Sequence, residues 1–86
     1  MSWKVEITPG AEKDLDWFRT HEKALYLRCF DLTRDVVRNP SDGLGKPEPL
    51  KHLGSNVWSR RVNLEHRMVY SIGDGLVVVA AYRFHY

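Results

Sequence analysis

The first half of the chain has the hydrophobic pattern of one strand followed by two helices. Apolar and polar residues alternate over residues 3–7, which predicts a half-buried strand. Thr8 can cap a helix and Pro9 suits its first position, so we expect a helix over about 11–20. A second helix is expected over about 23–38, where apolar residues recur at spacings of three and four.

The last third of the chain has the pattern of a sheet. Residues 57–64 and 67–72 are strand-like runs joined by a short connection. The Gly-Asp-Gly sequence at 73–75 predicts a hairpin turn, and a last strand is expected over 76–86. Residues 39–49, with three prolines and two glycines, predict a turn-rich loop between the helices and the sheet.

The order of these elements is β-α-α-β-β-β. It predicts an α+β domain in which two N-terminal helices pack on a mainly antiparallel sheet. At 86 residues the chain has room for one domain, over 1–86. Strict alternation in the last strand would place Val77 and Val79 on one face and Tyr82 on the other.

The composition favours a cytoplasmic protein with no membrane segment. No apolar run approaches the ~18 residues of a membrane span, and the first residues form no export segment. Cys29 is the one cysteine, so no internal disulfide can form, which fits a reducing compartment. Its position on the apolar stripe of the second helix predicts a buried small hydrophobe.

The second half of the chain is basic. Residues 1–43 carry a formal charge of −1 and residues 44–86 carry +3. The basic side chains of the central segment are Lys46, Lys51, Arg60, Arg61 and Arg67. A locally basic face on a nearly neutral protein can hold phosphate groups, with ordinary solvated charge as the alternative.

Several residues have the chemistry for acid–base cleavage of RNA. A base removes the 2′-hydroxyl proton, a cation stabilises the phosphorane-like transition state, and an acid protonates the leaving 5′-oxygen. Glu48 lies between Pro47 and Pro49, which would hold a carboxylate in a fixed direction. His85 and Tyr86 continue an aromatic strand to the end of the chain, so we expect them to be tied into the sheet. Such chemistry requires no metal ion.

The position of each arginine and histidine in the sequence indicates whether it has a site role or a structural role. Arg60 and Arg61 are adjacent on a predicted strand and point to opposite faces. Arg61 shares the less apolar face and is the site candidate, whereas Arg60 is the structural or surface cation. Arg67 opens the next strand and could add a second phosphate contact. His52 and His66 have no metal-ligand spacing, so we predict surface or hydrogen-bonding roles for them, with no metal site and no cofactor.

Four motifs together identify a family. They are Gly-Lys-Pro-Glu-Pro-Leu-Lys-His at 45–52, Trp-Ser-Arg-Arg at 58–61, Glu-His-Arg-Met-Val-Tyr at 65–70 and Tyr-Arg-Phe-His-Tyr at 82–86. In this combination the chain resembles the YoeB/Txe-type toxins of the RelE superfamily, which belong to bacterial type II toxin–antitoxin systems. The resemblance covers the whole chain and implies the RelE-like fold, which is similar to compact microbial ribonucleases.

The resemblance implies a ribosome-dependent endoribonuclease, an mRNA interferase that cuts mRNA in the ribosomal A site and inhibits translation. Its products would be a 2′,3′-cyclic phosphate upstream and a 5′-hydroxyl downstream. By position in the motifs, Glu48 would be the general base and His85 the general acid. Arg67 would stabilise the transition state, and Tyr86 would orient the substrate or stack on a base.

The same resemblance implies binding residues and partners. Arg61 would hold the phosphate together with Arg67, with Lys51 assisting, and Lys46 is a further phosphate-binding candidate from the basic segment. A YefM/Axe-type antitoxin would bind the toxin and cover or distort its site, and operator DNA would be bound only through that complex. A homodimer is also expected. The alternatives are a non-catalytic RNA- or partner-binding module of the same fold, or a small regulatory subunit that uses these residues as a protein interface.

Overall fold

The computed structural model describes residues 3–85, in which two helices pack on one sheet. The strands are β1 (Lys4–Ile7), β2 (Glu48–Pro49), β3 (Val57–Arg61), β4 (Arg67–Ile72) and β5 (Leu76–Phe84). The helices are α1 (Pro9–His21) and α2 (Lys23–Arg38), which follow β1 in the chain. Tyr86, predicted to end the last strand, lies outside the described residues.

The strands lie side by side in the order β1-β5-β4-β3-β2. β1 runs parallel to β5, and the other neighbouring strands are antiparallel. The predicted α+β architecture is therefore confirmed. The pattern does not predict β2, because this strand has only two residues, Glu48 and Pro49, inside the proline-rich loop. It lies at the sheet edge, where a proline is tolerated.

Both helices follow the local signals in the sequence. The Thr8 Oγ1 accepts a hydrogen bond from the Ala11 N–H at 3.2 Å, which confirms the predicted cap of α1. The helix begins at Pro9, earlier than the predicted residue 11, because proline suits a first turn that needs no N–H partner. α2 has the predicted bounds. Neither helix in residues 3–85 is long and apolar enough to cross a membrane.

The core lies between the helices and the face of the sheet that they cover. Its buried members are Ala11, Phe18, Cys29, Leu32, Val36, Val62, Met68, Tyr70, Val77, Val79 and Tyr82. Cys29 is fully buried, and burial raises the pKa of its thiol to about 12. The prediction of a buried small hydrophobe is confirmed, because a thiol that stays protonated is a poor nucleophile.

The predicted alternation along β5 is wrong beyond Val79. Tyr82 belongs to the same buried cluster as Val77 and Val79, and its hydroxyl lies 2.6 Å from the Thr33 hydroxyl on α2. Burial raises the pKa of Tyr82 to about 12. The cause is an irregular register between β4 and β5, which shifts on both sides of Val69. An extra residue in a bulge returns a later side chain to the same face of the sheet.

β3 ends at Arg61, earlier than the predicted residue 64. The side chain of Asn63 explains the difference, because its Oδ1 accepts hydrogen bonds from the backbone N–H groups of Glu65 at 2.9 Å and His66 at 2.7 Å. This local turn satisfies the backbone where pairing with β4 stops. The connection between the two strands is therefore longer than predicted.

The fully buried guanidinium of Arg60 ties three parts of the chain together. Its acceptors are the Tyr70 hydroxyl at 3.1 Å, the Asp35 carboxylate at 2.6 Å, and the carbonyl oxygens of Leu44, Asn39 and Asp42 at 3.2, 2.5 and 2.9 Å. These acceptors match the five N–H groups of a guanidinium. Arg60 is therefore the structural cation that the strand parity predicts, and it is buried.

Two glycines allow the loop to approach Arg60 closely. Gly43 has a φ of +123°, and a Cβ there would lie 2.0 Å from the Asp35 Oδ2. Gly45 has a φ of +79°, and a Cβ there would lie 2.9 Å from the Leu32 side chain. A side chain at either position would push the loop away from α2.

We expect Gly43→Ala to destabilise the protein by about 3 kcal/mol or more, because the methyl group would displace the carboxylate that pairs with Arg60. Gly75→Ala is the matched control: Gly75 has a φ of +67°, but a Cβ there would meet nothing within 4 Å. Its cost should be the backbone strain alone, about 1 kcal/mol. Urea unfolding of both variants measures the difference, and equal losses would contradict the account of Gly43.

Candidate functional site

The two faces of the sheet carry different chemistry. Residues directly opposite each other in an antiparallel pair share a face. Trp58 opposes Tyr70 and Arg60 opposes Met68 on the face that packs against the helices. The alternate residues of the same strands lie on the face turned away from the core.

The second face carries the charged residues that the motifs single out. Glu48 on β2 opposes Ser59 on β3, and Ser59 opposes Val69 on β4. One step along the same face, Arg61 opposes Arg67. The prediction that Arg61 and Arg60 point to opposite faces is confirmed. We call Glu48, Arg61 and Arg67 the charged triad.

The backbone on both sides of β2 holds Glu48 in place. The Arg61 N–H donates to the Gly45 carbonyl at 2.6 Å, and the Leu50 N–H donates to the Val57 carbonyl at 2.7 Å. These bonds continue the pairing with β3 beyond the two residues of the strand. Together with the flanking prolines, they fix the backbone that carries the Glu48 carboxylate.

Glu48 and Arg67 form an ion pair across the triad. The Arg67 guanidinium donates to the Glu48 Oε1 at 3.0 Å. The Glu48 side chain is 51% exposed and that of Arg67 is 19% exposed. Because the Glu48 carboxylate is half exposed, solvent and ligands can compete with it for Arg67, and we expect the pair to contribute little stability.

The pairing of Arg61 with Arg67 is electrostatically unfavourable. Like charges directly opposite each other on one face of a sheet repel. An anion bound between two guanidinium groups removes that repulsion and gains charge-assisted hydrogen bonds. The arrangement therefore suits a phosphate group next to a carboxylate.

The two lysines predicted to bind phosphate lie on either side of β2. Lys46 and Lys51 are both exposed. Lys46 has a φ of 52°, in the left-handed region that non-glycine residues seldom adopt. Such backbone strain is common at functional sites. The structure thus places both lysines next to the strand that carries Glu48.

His85 follows the last residue of β5. Phe84 opposes Arg67 across β4 and β5, so His85 lies one residue beyond the charged triad along the sheet. Its ring is exposed, and its Nε2 lies 2.7 Å from the Nδ1 of His66. The site role predicted for Tyr86 falls outside the described residues.

His66 contacts the site residue His85, although its spacing in the sequence indicates no site role. It is 3% exposed, and its ring meets the Phe18 ring edge-on at 5.1 Å. Its Nε2 lies 3.4 Å from the Glu65 Oε1. Of the two roles predicted for His66, surface or hydrogen-bonding, the structure confirms the hydrogen-bonding one. The available signal was its place between Glu65 and Arg67 in the third motif. His52 is exposed, as predicted.

Asp35 is the carboxylate that pairs with the buried Arg60 guanidinium. The Leu44 N–H, which donates to its Oδ2 at 2.8 Å, and the Arg60 guanidinium hold the pKa of Asp35 below its usual range. Burial raises the pKa of Tyr70, whose hydroxyl donates to the Pro40 carbonyl at 2.6 Å. Asp35 therefore stays charged and Tyr70 stays neutral near pH 7.

Residues 7–86 match the model of a family described as the YoeB-like toxin of bacterial type II toxin–antitoxin systems. The match spans nearly the whole chain and includes all four motifs. The chain belongs to the YoeB family. The resemblance carried by the motifs is thus confirmed, and the protein is a toxin of a type II toxin–antitoxin system.

Individual YoeB relatives are similar over most of their length. The toxin YoeB of Synechocystis sp. is 45% identical over 83 residues, which cover 96% of each chain. A solved YoeB/ParE toxin from Agrobacterium tumefaciens is 39% identical, with a TM-score of 0.88, and the alignment covers 96% of this chain and 99% of that one.

Staphylococcus aureus YoeB has been solved in two assemblies. The YoeB dimer is 33% identical to this chain with a TM-score of 0.88, and the alignment covers 98% of both chains. The toxin in the heterotetrameric YoeB–YefM toxin–antitoxin complex is 34% identical with a TM-score of 0.83, again over 98% of both chains. These structures confirm the α+β fold of the YoeB family for this chain.

Arg60 and Arg61 provide a matched pair of substitutions. We expect Arg60→Met to cost about 3–5 kcal/mol of unfolding free energy, because it leaves the Asp35 carboxylate and three carbonyl groups without their donor. Arg61→Met should change stability by less than about 1 kcal/mol, because it removes a repulsion with Arg67. Urea denaturation followed by circular dichroism compares them. Similar losses of unfolding free energy in the two variants would mean that Arg60 and Arg61 do not lie on a buried and an outward face.

The lowered pKa of Asp35 predicts a pH-dependent stability. The carboxylate stabilises the fold at pH values above its unfolded pKa of ~3.9, and this contribution is lost as the pH falls through the lower folded pKa. The wild type should therefore exceed Asp35→Asn in unfolding free energy at pH 7, and the gap should shrink on acidification. Urea titrations at stepped pH values measure the gap. A gap that stays constant or widens below pH 4 would refute this role.

Proposed function

We propose that this toxin is an endoribonuclease that cuts mRNA in the A site of the ribosome and so inhibits translation. It would act in the cytoplasm as a single domain over residues 1–86. The charged triad of Glu48, Arg61 and Arg67, on the face of the sheet turned away from the core, carries the proposal. Attack by a 2′-hydroxyl requires a base that takes its proton and cations that stabilise the charge on the phosphate. A carboxylate beside two guanidinium groups can supply both.

The two arginines would hold the scissile phosphate. A phosphate oxygen would replace Glu48 as the acceptor of the Arg67 N–H, which frees the carboxylate to take a proton. It would also relieve the repulsion between Arg61 and Arg67. Lys46 and Lys51 would contact neighbouring phosphates, so RNA affinity should fall as the salt concentration rises.

The reaction would proceed by transfer within the RNA and would need no metal ion. Glu48 takes the proton of the 2′-hydroxyl, and the 2′-oxygen attacks the adjacent phosphorus. The bond from phosphorus to the 5′-oxygen breaks, and His85 donates a proton to that oxygen. The products are a 2′,3′-cyclic phosphate and a 5′-hydroxyl. Arg67 and Arg61 stabilise the charge that builds up on the phosphorane-like transition state.

The position of His85 at the end of β5 supports its role as the general acid. An imidazole ring can both accept and donate a proton, which suits a general acid. Its neighbour Phe84 opposes Arg67, so the backbone at the end of β5 lies beside the triad. The His85 ring contacts His66 in the structure and would turn towards the leaving 5′-oxygen when RNA is bound. Tyr86 would follow His85 and orient the substrate or stack on a base.

The partners follow from the family. The ribosome and its mRNA are the proposed targets, and a YefM-type antitoxin is the proposed inhibitor. Operator DNA would be bound only through the toxin–antitoxin complex. A homodimer is proposed because the similar YoeB of Staphylococcus aureus forms a dimer and also a heterotetramer with YefM.

Primer extension on mRNA with and without programmed ribosomes tests the function. The wild type should cut within the A-site codon only when ribosomes are present. His85→Ala should slow cleavage by about 10²–10⁴-fold while ribosome binding is retained, because only the proton donor is lost. Glu48→Gln should lower the rate similarly. Glu12→Gln and His21→Ala, exposed positions on α1, are the matched controls and should cut like the wild type.

Three results would contradict these assignments. No cleavage by folded wild-type protein that still binds ribosomes would refute the nuclease and favour the non-catalytic binding module. A His85→Ala variant that cuts at the wild-type rate would leave the fold and family intact but reject the assignment of the acid. Loss of ribosome binding in that variant would make His85 a structural residue.

A further inference from the structure

The end of β5 and the connection before β4 bring three metal-binding side chains together. Ligand atoms of Glu65, His66 and His85 all lie within 4.8 Å of one another. The two imidazole rings approach most closely, with the Nε2 of His85 at 2.7 Å from the Nδ1 of His66. The sequence does not indicate this cluster, because His85 lies far along the chain from the other two.

The donor set has a definite preference among metal ions. Imidazole nitrogen favours zinc and other late first-row transition metals, whereas magnesium and calcium prefer an all-oxygen shell. Two histidines and one carboxylate form a common set of three protein ligands for zinc, with a water molecule in the fourth position. This set therefore suits a divalent transition metal ion.

The geometry requires only small movements. Two nitrogens that bind one tetrahedral zinc ion at ~2.0–2.1 Å are roughly 3.3 Å apart, so the rings must separate slightly from their present contact. His66 is held by its burial and by Phe18, whereas His85 and Glu65 are exposed and can adjust. One fixed ligand and two adjustable ones can close around an ion.

We propose that Glu65, His66 and His85 form an inhibitory binding site for a divalent transition metal ion such as Zn²⁺. Coordination uses the lone pair of the His85 Nε2, and any proton on that nitrogen goes to the solvent. The inhibitory part rests on the function proposed above, because the occupied His85 cannot donate a proton to the leaving 5′-oxygen. The ion is thus an inhibitor and takes no part in the reaction.

Binding is tested on the full chain with Zn²⁺ and a competing chromophoric chelator. The wild type should bind one ion per chain. Glu65→Gln and His85→Gln should each lower the affinity by at least about tenfold, because each removes a ligand. His52→Gln replaces an exposed histidine outside the cluster and should leave the affinity unchanged. His66→Gln is informative only where circular dichroism shows the native fold, so the two exposed ligands carry the test.

Three binding results would overturn the site. They are no zinc binding by the wild type, unchanged affinity in both Glu65→Gln and His85→Gln, and an equal loss in His52→Gln. Ring signals of His66 and His85 in NMR spectra provide an independent check, because both should shift on zinc addition while those of His52 stay in place.

Inhibition is measured as ribosome-dependent cleavage with and without Zn²⁺, each variant relative to its own zinc-free rate. The wild type should lose at least about tenfold of its rate and recover when the chelator is added. Glu65→Gln should be inhibited much less at the same zinc concentration. Equal inhibition of both proteins would mean that zinc acts somewhere other than this cluster and would overturn the inhibitory role. No cleavage without zinc would instead refute the proposed function, while the binding result stands by itself.

Discussion

The position of the loop before β2 depends on one buried cation, Arg60. Its guanidinium has lost all contact with water, and burying it would be prohibitively unfavourable without full pairing. The carbonyl groups of the loop and the Asp35 carboxylate supply that pairing. If the loop moved away from α2 and β3, the Arg60 guanidinium would stay in the core without its hydrogen-bond acceptors. Glu48 follows this loop directly, so a structural interaction on one face of the sheet positions a carboxylate on the other.

The alternation of side chains along β3 and β4 separates stability from chemistry. Arg60 and Met68 face the helices, whereas Arg61 and Arg67 face away from the core. The inward cation has a complete set of partners. On the outward side, Arg67 forms an ion pair with Glu48, and Arg61 lies directly opposite Arg67. A carboxylate and two guanidinium groups that lie together on paired strands suit the binding of an anion next to a base.

Much of this could be predicted from the sequence, because the helices and long strands follow local rules. Residue type predicted the cap at Thr8, and periodicity predicted α2 and the opposite directions of Arg60 and Arg61. The failures had non-local causes. The two residues of β2 form a strand by pairing with β3. Tyr82 faces the core because the register between β4 and β5 shifts. His66 gained its partner from the far end of the chain, and no spacing rule could indicate that contact.

In the proposed reaction, the charged triad promotes attack by a 2′-hydroxyl on the neighbouring phosphate. The most direct measurement uses ribosomes programmed with an mRNA that carries a single 2′-deoxynucleotide on the 5′ side of the cleaved bond. We expect cleavage at that bond to disappear, while the same mRNA with an ordinary ribonucleotide there is cut. Cleavage of the deoxy-substituted bond at an undiminished rate would contradict the account, because the attacking oxygen would then have to come from elsewhere.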